Sequence, residues 1–427
     1  MAINRDIKII SLLAVLVLAS AGAFAKGYVV KALSPKPDWM RSAVIYQCVL
    51  RGVNSSSFHE LQTNLPYLRN LGIDIIRITP ARSDGETSRP IFDDEEPGGY
   101  VATNLDLWSV SDLKNLANTA HNLGLKVILD YSTRGDDNQD LAESLEHWLR
   151  ETDIDGFKCD ASDEFSSLYW EELRKRLQAV KPILFLAENA QPEMMNKAFD
   201  ADMVWKIKDI FNAIANTKGV NTYAKNHNLS LPEMTSKDIP TFIETLRGEY
   251  PAGSVHLNMI ANPESRFWEG TEFDRFGPAT ALFSALSYIL PGIPTLCDGQ
   301  EIDFNKKFEL FKSDNVLSNS ISVDFSAFYE TLNALKHGNR ALDTNQPPYT
   351  TNFIESTDPD ILTFTRQSGT HKVAIIANLS GRYAHVHFLR REPYLVGLTE
   401  LFSGKPAKLP ENLAPWQFFI YTSPYSQ

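Results

Sequence analysis

Residues 126–160 read KVILDYSTRGDDNQDLAESLEHWLRETDIDGFKCD. A short apolar run, Lys126 to Asp130, is followed by a helical pattern from Gln139 to Arg150 and then by a second run, Ile154 to Lys158. Runs this short suit strands, and the longer amphipathic stretch between them suits a crossover helix. The segment therefore predicts strand, helix and parallel strand.

The same unit recurs on both sides. Ala43 to Val49 (AVIYQCV) precedes the amphipathic stretch Phe58 to Leu71, and Asp74 to Thr79 (DIIRIT) precedes a Gly/Pro-rich loop and a helix from Asp112 to Leu123. Downstream come a helix from about Phe165 to Val180, the run Ile183 to Ala187 (ILFLA), a short helix near Pro192 to Lys197, and the strand candidates Ala201 to Trp205, Val255 to Ile260 and Pro294 to Cys297. Eight apolar runs alternating with helices predict an α/β chain whose parallel sheet closes into a (β/α)8 TIM barrel. An open doubly wound sheet is disfavoured because no G-x-G-x-x-G turn follows the first strand, and no cofactor is expected.

After a helix from Phe325 to Leu335 the pattern changes. Short alternating runs, Ile361 to Gln367, Lys372 to Leu379, Ala384 to Leu389, Thr399 to Phe402 and Trp416 to Thr422, predict a C-terminal antiparallel β-sandwich domain. The polar segment from Asp343 to Pro348 is the join, which places the barrel at 26–345 and the β domain at 346–427.

Residues 1–25 have a separate meaning. Arg5 and Lys8 precede the apolar run Ile9 to Leu18 and an Ala23-Phe24-Ala25 cleavage pattern, the layout of a secretory signal peptide cut before Lys26. The run is shorter than the ~20 residues a spanning helix needs, so an uncleaved anchor ranks second. The expectation is export to the periplasm or the extracellular space, with no stable membrane span after cleavage. A chain of 427 residues with 43% hydrophobic and 22% charged residues is an ordinary globular protein. Its net charge of −12 argues against a nucleic-acid partner. Cys48, Cys159 and Cys297 lie in or beside strand-like segments and read as small buried hydrophobes.

Barrel active sites lie at the carboxyl ends of the strands. Asp130 ends KVILD, Lys158 and Asp160 end IDGFKCD, Glu188 ends ILFLAE, and Asn262 with Glu264 end the HLNMIANPE run. A lysine beside Asp160 keeps that carboxylate ionised, as a nucleophile requires. Apolar neighbours before Glu188 raise its proton affinity, as a general acid requires. Two carboxylates in such different surroundings are what glycosidic cleavage needs. Acidic residues at strand ends also bind metals, cap helices or pair with cations, and for any one position that reading is the stronger. Four strand ends in register shift the balance towards a site.

The chain closely resembles the α-amylase family of glycoside hydrolases (family 13). AVIYQ looks like the family's opening strand, LPYLRNLGIDIIRITP like its second unit, and DLKNLANTAHNLGLKVILD like its third. DIDGFKCD resembles the G-F-R-x-D block, ILFLAENAQPE the block with the acid glutamate, NMIANPESRFWEGTEFDRFG the N-H-D block, and LPGIPTLCDGQE the last strand. The resemblance implies Asp160 as nucleophile, Glu188 as acid/base, Glu264 as the third acidic residue and Tyr100 as a sugar-stacking residue. Asp130, Lys158 and Asn262 then belong to substrate binding. The implied reaction is retaining hydrolysis of α-linked glucans through a glycosyl-enzyme intermediate.

The departures are specific. After Asp130 the family's asparagine and histidine are replaced by Arg134 and Gly135, its arginine is Lys158, and H-D is Pro263-Glu264. Lysine lacks the planar fork of arginine. Only 29 residues separate Asp130 from Asp160, so the family's small inserted domain is missing. No metal site is expected, calcium included. Two hypotheses follow: an atypical glycosidase acting on an oligosaccharide or polysaccharide, and an inactive amylase-like protein that binds a glycan or a protein partner. Trp205, Phe267 and Trp268 read equally as sugar platforms or as packing under a rim loop. Trp416 reads as core of the β domain, and His121 as structural.

Overall fold

A computed structural model describes residues 36–50, 55–80, 109–133, 138–160, 165–302, 325–344, 350–390 and 393–425. Eight parallel strands form one barrel: β1 (Ile45–Leu50), β2 (Ile75–Pro80), β3 (Lys126–Ser132), β4 (Gly156–Asp160), β5 (Leu184–Glu188), β6 (Ala201–Met203), β7 (Leu257–Asn258) and β8 (Ile293–Cys297). They neighbour one another in the order β6-β5-β4-β3-β2-β1-β8-β7. A parallel bridge between Asp202 and His256 closes the ring between β6 and β7. The predicted barrel is thus found, with boundaries shifted by one or two residues.

The helices between the strands include α1 (Ser55–Leu71), α2 (Val110–Asn122), α3 (Asn138–Thr152), α4 (Ser167–Gln178) and α5 (Lys206–Thr217). They continue with α6 (Thr222–Asn226), α7 (Asp238–Glu249), α8 (Pro263–Trp268), α9 (Glu272–Phe276) and α10 (Thr280–Ile289), and α11 (Ser326–Gly338) follows β8. Local chemistry starts several of them. Ser109 and Asp112 form a reciprocal capping box at α2, and Ser166 accepts from Tyr169 N at α4.

Each strand buries both faces. Outward residues such as Tyr46, Ile76, Val127, Phe157 and Phe185 pack beneath the helices. Inward residues change character along each strand. At the amino ends Ile45, Ile75, Ile128, Leu184 and Ile293 fill the barrel with apolar volume. Further along, the positions of the same phase are Arg77, Asp130, Lys158 and Glu188. The interior is therefore dry below and charged above, the polarity expected of a barrel whose mouth carries the chemistry.

Gly156 opens β4 at φ +151°, where an added Cβ would lie 1.8 Å from the Leu184 carbonyl oxygen. Only a glycine lets β4 and β5 approach this closely. All three cysteines are buried, as expected, and none is in a disulfide. Among the described residues no helix is long and apolar enough to cross a membrane.

The C-terminal region holds β9 (Thr350–Phe353), β10 (Ile361–Ser368), β11 (His371–Asn378), β12 (Ala384–His385), β13 (Thr399–Glu400), β14 (Asn412–Leu413) and β15 (Phe418–Thr422). Five of them form an antiparallel sheet in the order β13-β15-β11-β10-β9, and β12 pairs with β14. β9 was not foreseen; its four residues are too few to show alternation. One face of the sheet, through Phe364, Val373 and Ile375, joins the barrel's core, and the other packs its own cluster around Ile376, Leu413 and Tyr421. Trp416 sits in the shared core, its ring 6.4 Å from Phe283 of α10, rather than inside the β domain alone. Across the same seam, Arg366 donates to the Ile289 and Leu290 carbonyls at 3.2 Å.

Candidate functional site

The mouth of the barrel is built from the carboxyl ends of β2 to β6. Asp130 on β3 is buried and fully engaged. Arg77 Nε and Nη2 donate to its two oxygens at 2.6 and 2.9 Å, and Thr79 Oγ1 donates to Oδ2 at 2.6 Å. Gln47 Nε2 in turn donates to Thr79 Oγ1 at 3.0 Å. Arg77 is a site residue that the sequence reading did not single out. Its signal was present: a charged residue in the middle of DIIRIT, two positions before Thr79 and on the same strand face.

β4 pairs with β3 in the register Asp130 to Lys158 and Ser132 to Asp160. β4 pairs with β5 through Lys158 to Leu186 and Cys159 to Ala187. Asp160 and Glu188 thus close neighbouring strands one register step further on. The side chains of Asp160 and Glu264, and the whole of Tyr100, lie outside the described residues.

Lys158 is buried and forms an ion pair with Glu188, its Nζ donating to Oε2. The other carboxylate oxygen, Oε1, accepts from the Trp205 indole Nε1 at 3.0 Å. Sequence reasoning set Lys158 beside Asp160 and surrounded Glu188 with apolar groups. The structure adds a contact between the neighbouring strands β4 and β5 that adjacency along β4 could not reveal. Trp205 does not end a strand: β6 stops at Met203, and the half-buried Trp205 is the first residue before α5. Its indole N–H is bound to Glu188, and Lys208 Nζ lies 5.7 Å from its ring centre.

Behind Glu188 the chain turns sharply. Asn189 takes φ +56°, a left-handed conformation that asparagine tolerates. The turn sends the Ala190 N–H to Asp202 Oδ1 at 3.0 Å, and Tyr250 Oη lies 3.3 Å from Asp202 Oδ2. Burial, with Glu188 adding to it, pushes Asp202 up to about 6.

Asn262 and Glu264 belong not to a strand end but to the start of α8. Asn262 Oδ1 accepts from Ser265 N and Ser265 Oγ lies 3.0 Å from Asn262 N, a capping box. Buried charges fix this segment. Arg266 forms a two-point ion pair with Glu272, Arg275 donates to the Ile260 carbonyl at 2.8 Å, and Lys208 donates to both oxygens of Glu269 at 2.6 and 2.8 Å. Elsewhere His121, read as structural, bonds Asp155 at 2.7 Å beneath the strands.

On the β8 side Tyr46 Oη lies 3.0 Å from Asp298 Oδ1 and 2.9 Å from Glu301 Oε1, and it accepts from Gly299 N. One phenol proton can serve only one of the two carboxylates, so a proton on Glu301 completes the network. Burial, and then Asp298, push Glu301 up from 4.5 to about 8. A carboxyl whose folded value is raised stabilises the fold below about 4.5 and loses that contribution as pH rises towards 8. In chemical denaturation, Glu301→Gln should therefore flatten the fall in stability of the parent between these pH values; an equal fall in both proteins would refute the assignment.

Among the described residues no group of three or more His, Cys, Asp or Glu is arranged to hold a metal ion. The residue at the family's calcium-ligating asparagine is Arg134, which cannot ligate a cation. Both oxygens of Asp130 are already bound.

A parallel barrel with charged residues on neighbouring strand ends at its mouth defines the class. Comparisons with known proteins narrow it. The chain is 32% identical over 97 residues to a maltogenic α-amylase of Bacillus acidopullulyticus, a match covering 22% of this chain and 15% of the relative. It is 23% identical over 211 residues to a cyclomaltodextrinase of a Bacillus species, covering 48% of this chain and 35% of the relative. The chain thus spans well under half the length of these curated relatives. No family model matches it. The fold is shared with a noncanonic maltogenic α-amylase from Thermotoga neapolitana, at TM-score 0.71 and 15% identity over 89% of this chain and 98% of that one. It is shared too with an α-amylase from Geobacillus thermoleovorans complexed with acarbose, at TM-score 0.64 and 17% identity over 91% and 99%. Over part of its length the chain is thus similar in sequence to proteins of the α-amylase type, and it shares their barrel fold.

Proposed function

We propose that the protein is an α-amylase-type glycoside hydrolase acting on α-linked glucans by a retaining double displacement. The observation that supports this is the placement of Glu188 at the mouth, held at both oxygens, with Asp160 closing the adjacent strand in register. Asp160 attacks the anomeric carbon while Glu188 gives a proton to the leaving oxygen; Glu188 then takes a proton from water as the glycosyl-enzyme ester is hydrolysed. Carboxylates of a retaining pair stand roughly 5–5.5 Å apart, a separation that neighbouring strands about 4.8 Å apart accommodate. Tyr100, Glu264 and Asn262 contribute to the sugar subsites on this reading. Lys158 and Asp130 set the charge beneath them.

A fluoro-glycoside that forms a stable glycosyl ester tests the nucleophile. Mass spectrometry should locate the label on Asp160; a panel of activated α-glucosyl fluorides leaving the protein unlabelled would sink the enzymatic reading.

A second reading, an amylase-like protein that binds a glycan or protein partner without cleaving it, is favoured by the Lys158–Glu188 ion pair. A general acid must carry a proton, and an ammonium group against the carboxylate favours the ionised form. Glycan binding that persists in Asp160→Asn and Glu188→Gln, with no turnover in the parent, would establish it. We further propose export through the leader at 1–25, which lies outside the described residues; sequencing the mature amino terminus, expected at Lys26, tests this.

A further inference from the structure

Two donors on Glu188, Lys158 and Trp205, come from different elements and differ in chemistry. Lys158 is a buried ammonium on β4, a point charge at the end of an alkyl stem. The Trp205 indole is a rigid neutral donor fixed at the start of α5, and α5 is itself anchored. Lys208, one turn along α5, is buried beside the indole ring and gripped by both oxygens of Glu269, and Glu269 directly follows α8. Asn212, a further turn on, also donates to Glu269 at 3.1 Å. The indole thus stands between Glu188 and the segment that carries Asn262 and Glu264.

We propose that Trp205 is a positioning residue for Glu188: its indole N–H fixes Oε1, so that Oε2, which Lys158 meets, is the oxygen that faces the leaving oxygen of a bound glycan. The division of labour follows from geometry. A carboxyl that is to carry a proton on one oxygen keeps the other as an acceptor, and the indole N–H bonds that acceptor in either state. The ammonium on Oε2 occupies the place of the transferred proton and has to move before Glu188 can act as an acid. Trp205 therefore holds the direction of the group, while Lys158 balances its charge. The aromatic ring is engaged edge-on by the carboxylate and approached by Lys208, which makes it part of the machinery behind the sugar rather than only a surface under it.

Among the described residues, the charged and titratable groups near Glu188 include Lys158 on β4 and Asp202 on β6, with Lys208 on α5 and Glu269 behind the indole. Any of them can move an indole signal with pH, so the test needs a control that removes Glu188 alone. The proposal rests on Glu188 being the acid/base of the reaction above, and its test has a readout that does not require turnover.

The protein is labelled with 15N at its tryptophan indoles, and the Trp205 signal is identified by its loss in Trp205→Phe. In the parent, that signal should shift with pH as Glu188 changes protonation. In Glu188→Gln, whose amide oxygen still accepts from the indole, most of the shift should vanish. Trp205→Phe keeps the ring and deletes the donor. It should lower kcat on maltooligosaccharides about tenfold to a hundredfold, with KM little changed, and move the alkaline limb of the kcat profile upward. A Trp205 signal that titrates equally in the parent and Glu188→Gln would overturn the proposal, as would a Trp205→Phe profile that keeps its alkaline limb. Titration that depends on Glu188 in a protein without turnover would instead overturn the hydrolase reading and leave the indole–carboxylate link standing. Near-ultraviolet circular dichroism of Trp205→Phe against the parent verifies that the barrel is retained.

Discussion

Glu188→Gln should lower turnover of maltooligosaccharides by about 10²–10⁴-fold, the usual contribution of a positioned general acid and base. The substitution is close to isosteric. Its amide oxygen can accept from Lys158 or from Trp205, so the mouth keeps its shape, but the side chain can neither donate a proton to a glycosidic oxygen nor receive one from water. The loss should fall on kcat more than on KM, because the proton is transferred only in the transition state. A substrate whose leaving group needs no protonation, such as a glycosyl fluoride, should be processed by Glu188→Gln far better than a maltooligosaccharide. Initial rates on both substrates, for parent and variant, check this. Equal turnover by the two proteins would remove Glu188 from the chemistry.

Arg77→Met should cost about 3–5 kcal/mol of stability, the usual penalty for stripping one partner from a buried ion pair. Asp130 is buried and takes both of its strong charge-assisted bonds from Arg77, leaving only the Thr79 hydroxyl if the guanidinium is removed. Methionine fills much of the same volume, so the effect reports charge more than cavity. The double variant Arg77→Met/Asp130→Leu should recover most of the loss, since no uncompensated carboxylate remains. Urea denaturation of the four proteins of this cycle gives the coupling energy. Additive losses would mean that the pair is not a unit. The test bears on function because Asp130 and Lys158 are register partners at the base of the mouth, and Lys158 reaches Glu188.

The legible parts of the site were those carried by strand period and position. Asp130, Lys158, Asp160 and Glu188 were placed from runs such as KVILD and ILFLAE, and each lies on the strand where it was expected. Asn262 and Glu264 were read as the end of the HLNMIANPE run; the Asn-Pro-x-Ser signal of a capped helix was in the sequence, and α8 begins there. The Trp205–Glu188 bond was not legible. Its partners are 17 residues apart on different strand units, and the indole comes into reach only because β5 and β6 lie side by side in the barrel.

The sequence by itself determined the barrel, its terminal β domain and the strands that bear carboxylates, because burial periodicity is a local property written into each run of residues. Which charges meet was decided by the tertiary structure alone. Arg77 with Asp130 and Lys158 with Glu188 are pairings across neighbouring strands, Trp205 meets Glu188 from the segment just after β6, and strand neighbourhood is created by closing the sheet. In a dry interior no charge can stay unpaired, so the closed barrel, by fixing the distances, also fixed the partners.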